Sequence, residues 1–203
     1  MLRTITKATS NDLTTVQAVR LELGNSATSA DDALIVSLIS QASAMLAGEM
    51  NRAAGIEEIE QIEQVRAPLS FFLLDRWPVT ELVSCTVAGA TIALTDLRLD
   101  PHEGFVTLVR NGVTLSWPLG QTVIRYKAGY VLAGAGRNVP ADLERAAIGI
   151  AKALFYGRDR DPNIRSDTVA GVGATSYTDT ERLEVIGPDA RAIINRYRLP
   201  MVA

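Results

Sequence analysis

Between Ser29 and Arg52 the sequence repeats apolar residues at spacings of one, three and four: Leu34, Ile35, Leu38, Ile39, Ala42, Met45, Leu46 and Met50. On a helix of about 3.6 residues per turn these positions wind into one wide stripe, so the segment reads as a long amphipathic helix. Ser29 followed by Asp32 is a capping-box variant, and Asp31 and Asp32 place negative charge at the positive end of the helix dipole. Asn51 and Arg52 suit a last turn, and Gly55 just beyond can take the left-handed conformation that stops a helix. A stripe this broad demands partners on more than one side, either other helices of the chain or neighbouring subunits.

The remainder of the chain offers both helices and strands. A shorter helix is expected over 14–23, with Val16, Val19 and Leu23 on one face, Thr14 and Gln17 as a capping box, Leu13 stapled onto Ala18, and Gly24 as the stop. The brief connection 25–28 makes a helical hairpin with the long helix. Residues 56–63 mix Ile59 and Ile62 with Glu and Gln, and their periodicity is ambiguous. From Val65 onward, Leu69, Phe71 and Leu73 alternate with Ser70, Phe72 and Leu74, the pattern of a strand buried on both faces that ends at Trp77-Pro78.

Short antiparallel strands follow, punctuated by Ala88-Gly89-Ala90, Asp100-Pro101 and Asn111-Gly112, the last being the strongest turn signal in the chain. Over 122–128, Val123, Arg125 and Lys127 alternate with Ile124, Tyr126 and Ala128, as in a sheet with one wet face. A third helix is expected over 140–157, opened by Pro140, with Asp142 and Glu144 in its first turn and Leu143, Ala147, Ile150 and Leu154 on its apolar side, extended by Phe155 and Tyr156. Beyond Gly157 the chain turns polar, and a short helix over about 188–197 carries Ala190, Ile193 and Ile194. The fold class is therefore α+β: a small helical bundle with an antiparallel β insertion over about 64–130, and an extended C-terminal arm over 158–203 that needs its own domain or a partner to bury its apolar residues.

Composition excludes several functions. The 203 residues are 47% hydrophobic and 21% charged, a globular balance, and no apolar run approaches the roughly 20 residues of a membrane helix. Met1 to Ser10 carry Arg3 and Lys7 without an apolar core, so a secretory leader is not expected and synthesis in the cytoplasm is. A net charge of -3 argues against a surface built to grip phosphate backbones.

Catalytic chemistry finds few candidates. The single Cys85 lies between Val83 and Val87 in strand-like sequence, a structural position, and the single His102 sits in a turn beside Pro101 and Glu103. Asp31-Asp32 and Glu57-Glu58 are adjacent acids that point apart on a helix rather than converge. Gly134-Ala135-Gly136 and Gly171-Val172-Gly173 lack the strand-to-helix context of a phosphate loop, and Arg158, Arg160 and Arg165 are balanced by Asp159, Asp161 and Asp167. No catalytic residue, cofactor site or metal site is assigned, and the chain is not read as an enzyme.

Four stretches carry a family resemblance: Asp12-Leu-Thr-Thr-Val-Gln-Ala-Val, Asp31-Asp-Ala-Leu-Ile-Val-Ser-Leu-Ile, Val123-Ile-Arg-Tyr-Lys-Ala-Gly-Tyr130 and Val139-Pro-Ala-Asp-Leu-Glu-Arg-Ala-Ala. In their order and spacing they resemble the head-tail connector, or adaptor, proteins of tailed bacteriophages and gene transfer agents. The resemblance implies a connector domain over 1–157 that assembles into a ring, usually of twelve copies, at the portal vertex of a virion. It also implies that the ring joins the capsid to the next neck or tail protein and extends a channel through which double-stranded DNA passes without specific binding. No membrane is involved. In such adaptors the C-terminal arm reaches the portal, a role that falls here to Ile193, Ile194, Arg196, Tyr197, Arg198, Leu199, Pro200 and Met201. The alternatives are another neck protein, completing the head or the tail, and more remotely a small enzyme or binding module.

Overall fold

A computed structural model describes residues 1–158 except 53 and 135, the backbone of 166–169 and 173–176, and residues 186–198; the side chain of Asn25 is also not described. The chain forms two compact units, one of residues 1–11 and 52–139 and one of residues 12–51 and 140–203. The fold is α+β, as the sequence patterns indicate.

The helical unit contains α1 (Val16–Leu23), α2 (Asp32–Met50), α3 (Ala141–Gly157) and α4 (Pro188–Tyr197). Thr15 rather than Thr14 caps α1, its side chain accepting the Ala18 N–H at 3.2 Å. Thr14 is buried and donates its hydroxyl to Glu144 Oε1 at 3.2 Å. Before α2 a single 3-10 turn spans Ser29–Asp31, and its capping box is Thr28 with Asp31, one residue ahead of the Ser29 and Asp32 pair expected. The Thr28 N–H donates to Asp31 Oδ2 at 2.8 Å, and these bonds hold the Asp31 carboxyl below its ordinary pKa. At the other end Asn51, with φ of 54°, takes the left-handed stop assigned to Gly55, so α2 is shorter than 29–52.

Ile35, Leu38, Ile39, Ala42, Leu46 and Met50 of α2 are buried among the helices, while Leu34 and Met45 at the stripe's margins are half-buried. Ser43 lies inside the same stripe because its Oγ accepts the buried Leu13 N–H at 3.0 Å. The best window across Ser29–Met50 has a mean hydropathy of 1.4, long and apolar enough by composition alone to cross a membrane, which corrects the expectation that no segment reaches that measure. Here the segment serves as the central packing helix, touching α1, α3 and α4. On α3, Leu143, Ala146, Ala147, Ile150, Ala151 and Phe155 are buried. Tyr156, expected to extend that stripe, is instead 53% exposed and donates its hydroxyl to Ser26 Oγ at 3.2 Å. The same unit holds an antiparallel pair, β10 (Ser166–Val169) and β11 (Gly173–Ser176).

The β unit is built from β1 (Leu2–Thr6), β2 (Glu57–Val65), β3 (Phe72–Leu73), β4 (Val79–Val87), β5 (Ala90–Ile92), β6 (Leu97–Leu99), β7 (Phe105–Arg110), β8 (Val113–Leu115) and β9 (Gly120–Ala128). One antiparallel sheet has the order β1-β2-β9-β4-β5, and a second has β3-β7-β6 with β8 also on β7. Their facing sides share one core that includes Ile59, Phe72, Leu74, Cys85, Val106, Trp117, Ile124 and Tyr126. Both two-residue hairpins form as their sequences demand: Ala88-Gly89 joins β4 to β5 and Asn111-Gly112 joins β7 to β8, each residue at positive φ.

The sheet starts well before the expected 64, because β2 occupies the ambiguous stretch and pairs with β9 along its whole length. Gln61, 1% exposed, explains how a strand rich in Glu and Gln can be buried. Its amide donates to Leu73 O at 3.1 Å, and its carbonyl accepts the Asp75 N–H at 2.9 Å and the Tyr126 hydroxyl at 3.1 Å. Glu60, opposite Arg125 on β9, pairs with it at 2.7 Å. The strand expected from Val65 to Leu74 shrinks to β3; Val65, at the end of β2, and Phe72 and Leu74 face the core, while Leu69, Phe71 and Leu73 are 39%, 46% and 45% exposed. Gly55 has a steric role, since a Cβ there would collide with Ser10 O and Ala8 Cβ, and its N–H donates to Asn11 Oδ1 at 3.0 Å.

Candidate partner-binding surfaces

Four of the residues assigned to partner binding lie on α4, and the helix docks on its own unit. Ile194, one of the apolar residues expected to anchor the portal contact, is 2% exposed and packs in the helical core. An apolar side chain every three to four positions lets a ten-residue helix bury one turn of itself, and Ile194 takes that place. Tyr197 is half-buried, donating its hydroxyl to Asp142 Oδ1 at 2.6 Å, and Arg196 pairs with Asp142 Oδ2 at 3.2 Å. The first turn of α3 thus fastens the end of α4, using the Asp142 that the sequence placed there for the helix dipole. Ile193 remains half-buried and Arg198 exposed. Leu199, Pro200 and Met201 lie outside the described residues.

Beside Ile193 an open groove of about 430 Å³ runs between α1, α3 and α4. Small residues make it: Ala18 of α1, Ala141 and Gly149 of α3 and Ala190 of α4 leave space that larger side chains would fill. Glu22, Glu144 and Asp189 stand on its rim with Arg145. Lys152 holds Glu22 at 2.9 Å and keeps its carboxyl pKa below the ordinary value. Individually, these small residues carry no periodic sequence signal, because the groove arises only when three helices converge.

A second exposed surface belongs to the β unit and was hidden by the reading of residues 65–74 as a buried strand. On the outer side of the smaller sheet, Leu73 lies opposite Phe105, and the Phe71 ring meets the Phe105 ring edge-on with centroids 4.7 Å apart. Leu69, just before this strand, is exposed as well. Alternation along β3 and β7 carries the signal in retrospect, since Phe72 pairs with Val106 on the inside and their neighbours must point outward.

Among the described residues, the side chains weighed for catalysis occupy structural positions. His102 is exposed in the turn after Asp100, whose Oδ1 accepts the N–H groups of His102 and Glu103. Cys85 is buried in the sheet core, where desolvation pushes its thiol up to about 11. Asp31 caps a helix turn and Asp32 pairs with Arg20, while Glu57 and Glu58 lie on a strand rather than a helix. Among the described residues no group of three or more His, Cys, Asp or Glu side chains is placed to hold a metal.

A head completion protein family matches residues 12–199, nearly the whole chain. The chain belongs to the head completion protein family. Solved structures give the same fold at full length. A chain in the virion of a native gene transfer agent particle has a TM-score of 0.60 at 19% identity, with 100% of this chain and 97% of that chain covered. A chain in the neck of an empty gene transfer agent particle, computed with C6 symmetry, gives 0.59 and 19% over the same coverage. A chain in the neck of a native particle, computed with C12 symmetry, gives 0.56 and 17%, again covering 100% of this chain and 97% of that one. No curated protein matches the sequence. Membership of a head completion family agrees with the resemblance read from the helical and β9 motifs.

Proposed function

We propose that this protein is a structural subunit of a virion neck: an adaptor that forms a ring, docks on the portal and joins the capsid to the tail. The observation that supports the reading best is its full-length likeness in fold to chains in gene transfer agent necks computed with C6 and C12 symmetry. Twelve copies in a closed ring account for exposed apolar surface on both units, because a ring subunit buries one patch against each neighbour. The ring extends the channel for double-stranded DNA and requires no catalysis. A net charge of -3 suits a passage that DNA crosses without adhering.

On this reading the portal contact falls to Arg198 and the residues after it, with Ile193 at its margin, because Ile194 and Tyr197 already hold α4 in place. The test is native mass measurement of the protein mixed with its cognate portal ring, for the full chain and for a chain ending at Arg198. Truncation at Gly157 would be uninformative, since it removes the core residue Ile194. Binding by the full chain and loss in the shortened one supports both the adaptor role and the arm; binding by neither removes the portal assignment. A second reading, a head completion protein that does not bind the portal, takes its first part from the family's own description. It predicts binding to a neck or tail component and none to the portal.

A further inference from the structure

The ribbon of β10 and β11 has a sequence that does little to keep it folded. β10 reads Ser-Asp-Thr-Val and β11 reads Gly-Ala-Thr-Ser, so the two strands carry one large apolar residue, Val169. Among the described strands they pair with each other alone, and the ribbon joins neither sheet of the β unit. A lone two-stranded hairpin is marginal in water, and one with so little apolar sequence gains stability chiefly when a third strand bonds to its backbone.

β1 offers the edge that such a ribbon needs. It is the outer strand of the five-stranded sheet and has five residues, whereas β3, β5, β6 and β8, the other edge strands of the β unit, have two or three. Met1 and Ile62 exchange both backbone bonds, at 2.6 and 2.8 Å. The alternation of an antiparallel ladder then turns the N–H and C=O groups of Leu2 and Thr4 away from β2. Residues 3–6 are all exposed. The charges of the two elements are complementary: Arg3 is the one charge in β1, and Asp167 is the one charge in β10 and β11. No described residue forms an ion pair with Arg3.

We infer that the β10–β11 hairpin of one copy adds to the β1 edge of the next copy, with Asp167 set toward Arg3. This rests on the ring reading proposed above and gives it a specific contact. Within one chain the hairpin and β1 lie in separate sheets, which leaves β1 to a neighbour's hairpin. Hairpin and edge are different surfaces, so the contact is heterologous and propagates from copy to copy, as ring closure requires. Backbone bonds supply the attachment, and the single charge pair sets the register.

The test is hydrogen exchange across 1–6 and 166–176 in the full-length protein, alone and assembled with its cognate portal, with native mass to count the copies. Three single variants are compared: Thr4→Pro, Arg3→Asp and Asp167→Arg. The Thr4 N–H points away from β2, so proline there closes the edge and keeps the β1–β2 pairing, which matching thermal melts verify. In the wild-type ring, exchange in both segments is expected to slow by about tenfold or more. Thr4→Pro should lose the slowing across 166–176. Each charge variant should reduce it by about threefold or more, and the Arg3→Asp/Asp167→Arg double variant should return within about twofold of wild type. Wild-type rings without slowing overturn this contact and leave the neck reading standing. Slowing across 166–176 that survives Thr4→Pro also overturns it and seats the hairpin on another partner, the portal included. Weakening by both charge variants without rescue in the double overturns it too, because the two residues then act on other groups. Failure of the wild-type protein to form any ring with the portal removes the neck reading and the contact with it.

Discussion

The hydroxyl of Tyr197, on the last turn of α4, donates to Asp142 Oδ1 on the first turn of α3 at 2.6 Å, and the neighbouring Arg196 meets the other oxygen of the same carboxylate. One side chain therefore fastens the end of the C-terminal helix. Replacing Tyr197 with Phe should weaken α4 docking by about 1.5 kcal/mol, the lower end for a hydrogen bond to a charged group because this one is only half-buried. Hydrogen exchange should quicken across 188–197 and stay unchanged in the β unit; equal exchange in the two proteins would show that the bond does not hold the helix.

Ile194 and Arg198 separate packing from surface on the same element. Ile194→Ala opens a cavity in the helical core and is expected to cost about 2–5 kcal/mol, whereas Arg198→Ala should stay within about 0.5 kcal/mol. Urea unfolding measures both. A large cost at Arg198 would mean that it packs rather than faces solvent.

Asn51 ends α2 with a backbone φ of 54°, a region that penalises a Cβ. Comparing Asn51→Gly with Asn51→Ala removes the polar side chain in both and isolates that penalty. The glycine variant should be the more stable by about 1 kcal/mol. Equal melting temperatures would show that the helix end relaxes into another conformation at little cost.

Thr122 is fully buried in β9, and its Oγ1 has no hydrogen-bond partner among the described residues. The isosteric Thr122→Val keeps the shape and removes the stranded hydroxyl, so the protein should gain about 1 kcal/mol. A loss on the same scale in denaturant unfolding would reveal a partner for that hydroxyl.

Burial raises the Cys85 thiol to about 11 and pushes the Tyr126 phenol upward as well. With folded-state values above those of the unfolded chain, the unfolded state ionises first. Stability is therefore complete below the ordinary thiol value of about 8.5 and declines as pH rises toward the folded one. Cys85→Ala should flatten the decline of the urea midpoint between about pH 8 and 10.5, leaving the part due to Tyr126. An unchanged slope would assign the alkaline sensitivity elsewhere.

The helices were legible in the sequence because their signals are local. The spacing of Ile35, Leu38, Ile39, Ala42 and Leu46, the dipole-favoured Asp142 and the Pro188 start all act within a few residues. The Asn111-Gly112 hairpin was legible for the same reason. What escaped depends on distant partners. β1 has no pattern of its own and exists because β2 offers an edge, with the terminal Met1 ammonium donating to Ile62 O at 2.6 Å. β2 escaped because Gln61 and Glu60 are satisfied by Tyr126 and Arg125, residues far along the chain. The exposed Phe71 and Leu73 were read as core because hydrophobicity does not reveal which side of a strand is covered. On the arm, periodicity located α4 but could not tell that Ile194 turns inward while Ile193 borders a groove.

The division of the chain into two units has a mechanical consequence. The backbone passes from one unit to the other at 11–12, 51–52 and 139–140, so each unit is assembled from separate lengths of chain. A load pulling the units apart is shared among these tethers rather than carried by a single hinge. Cleaving the backbone at any one of them leaves the units covalently joined through the others.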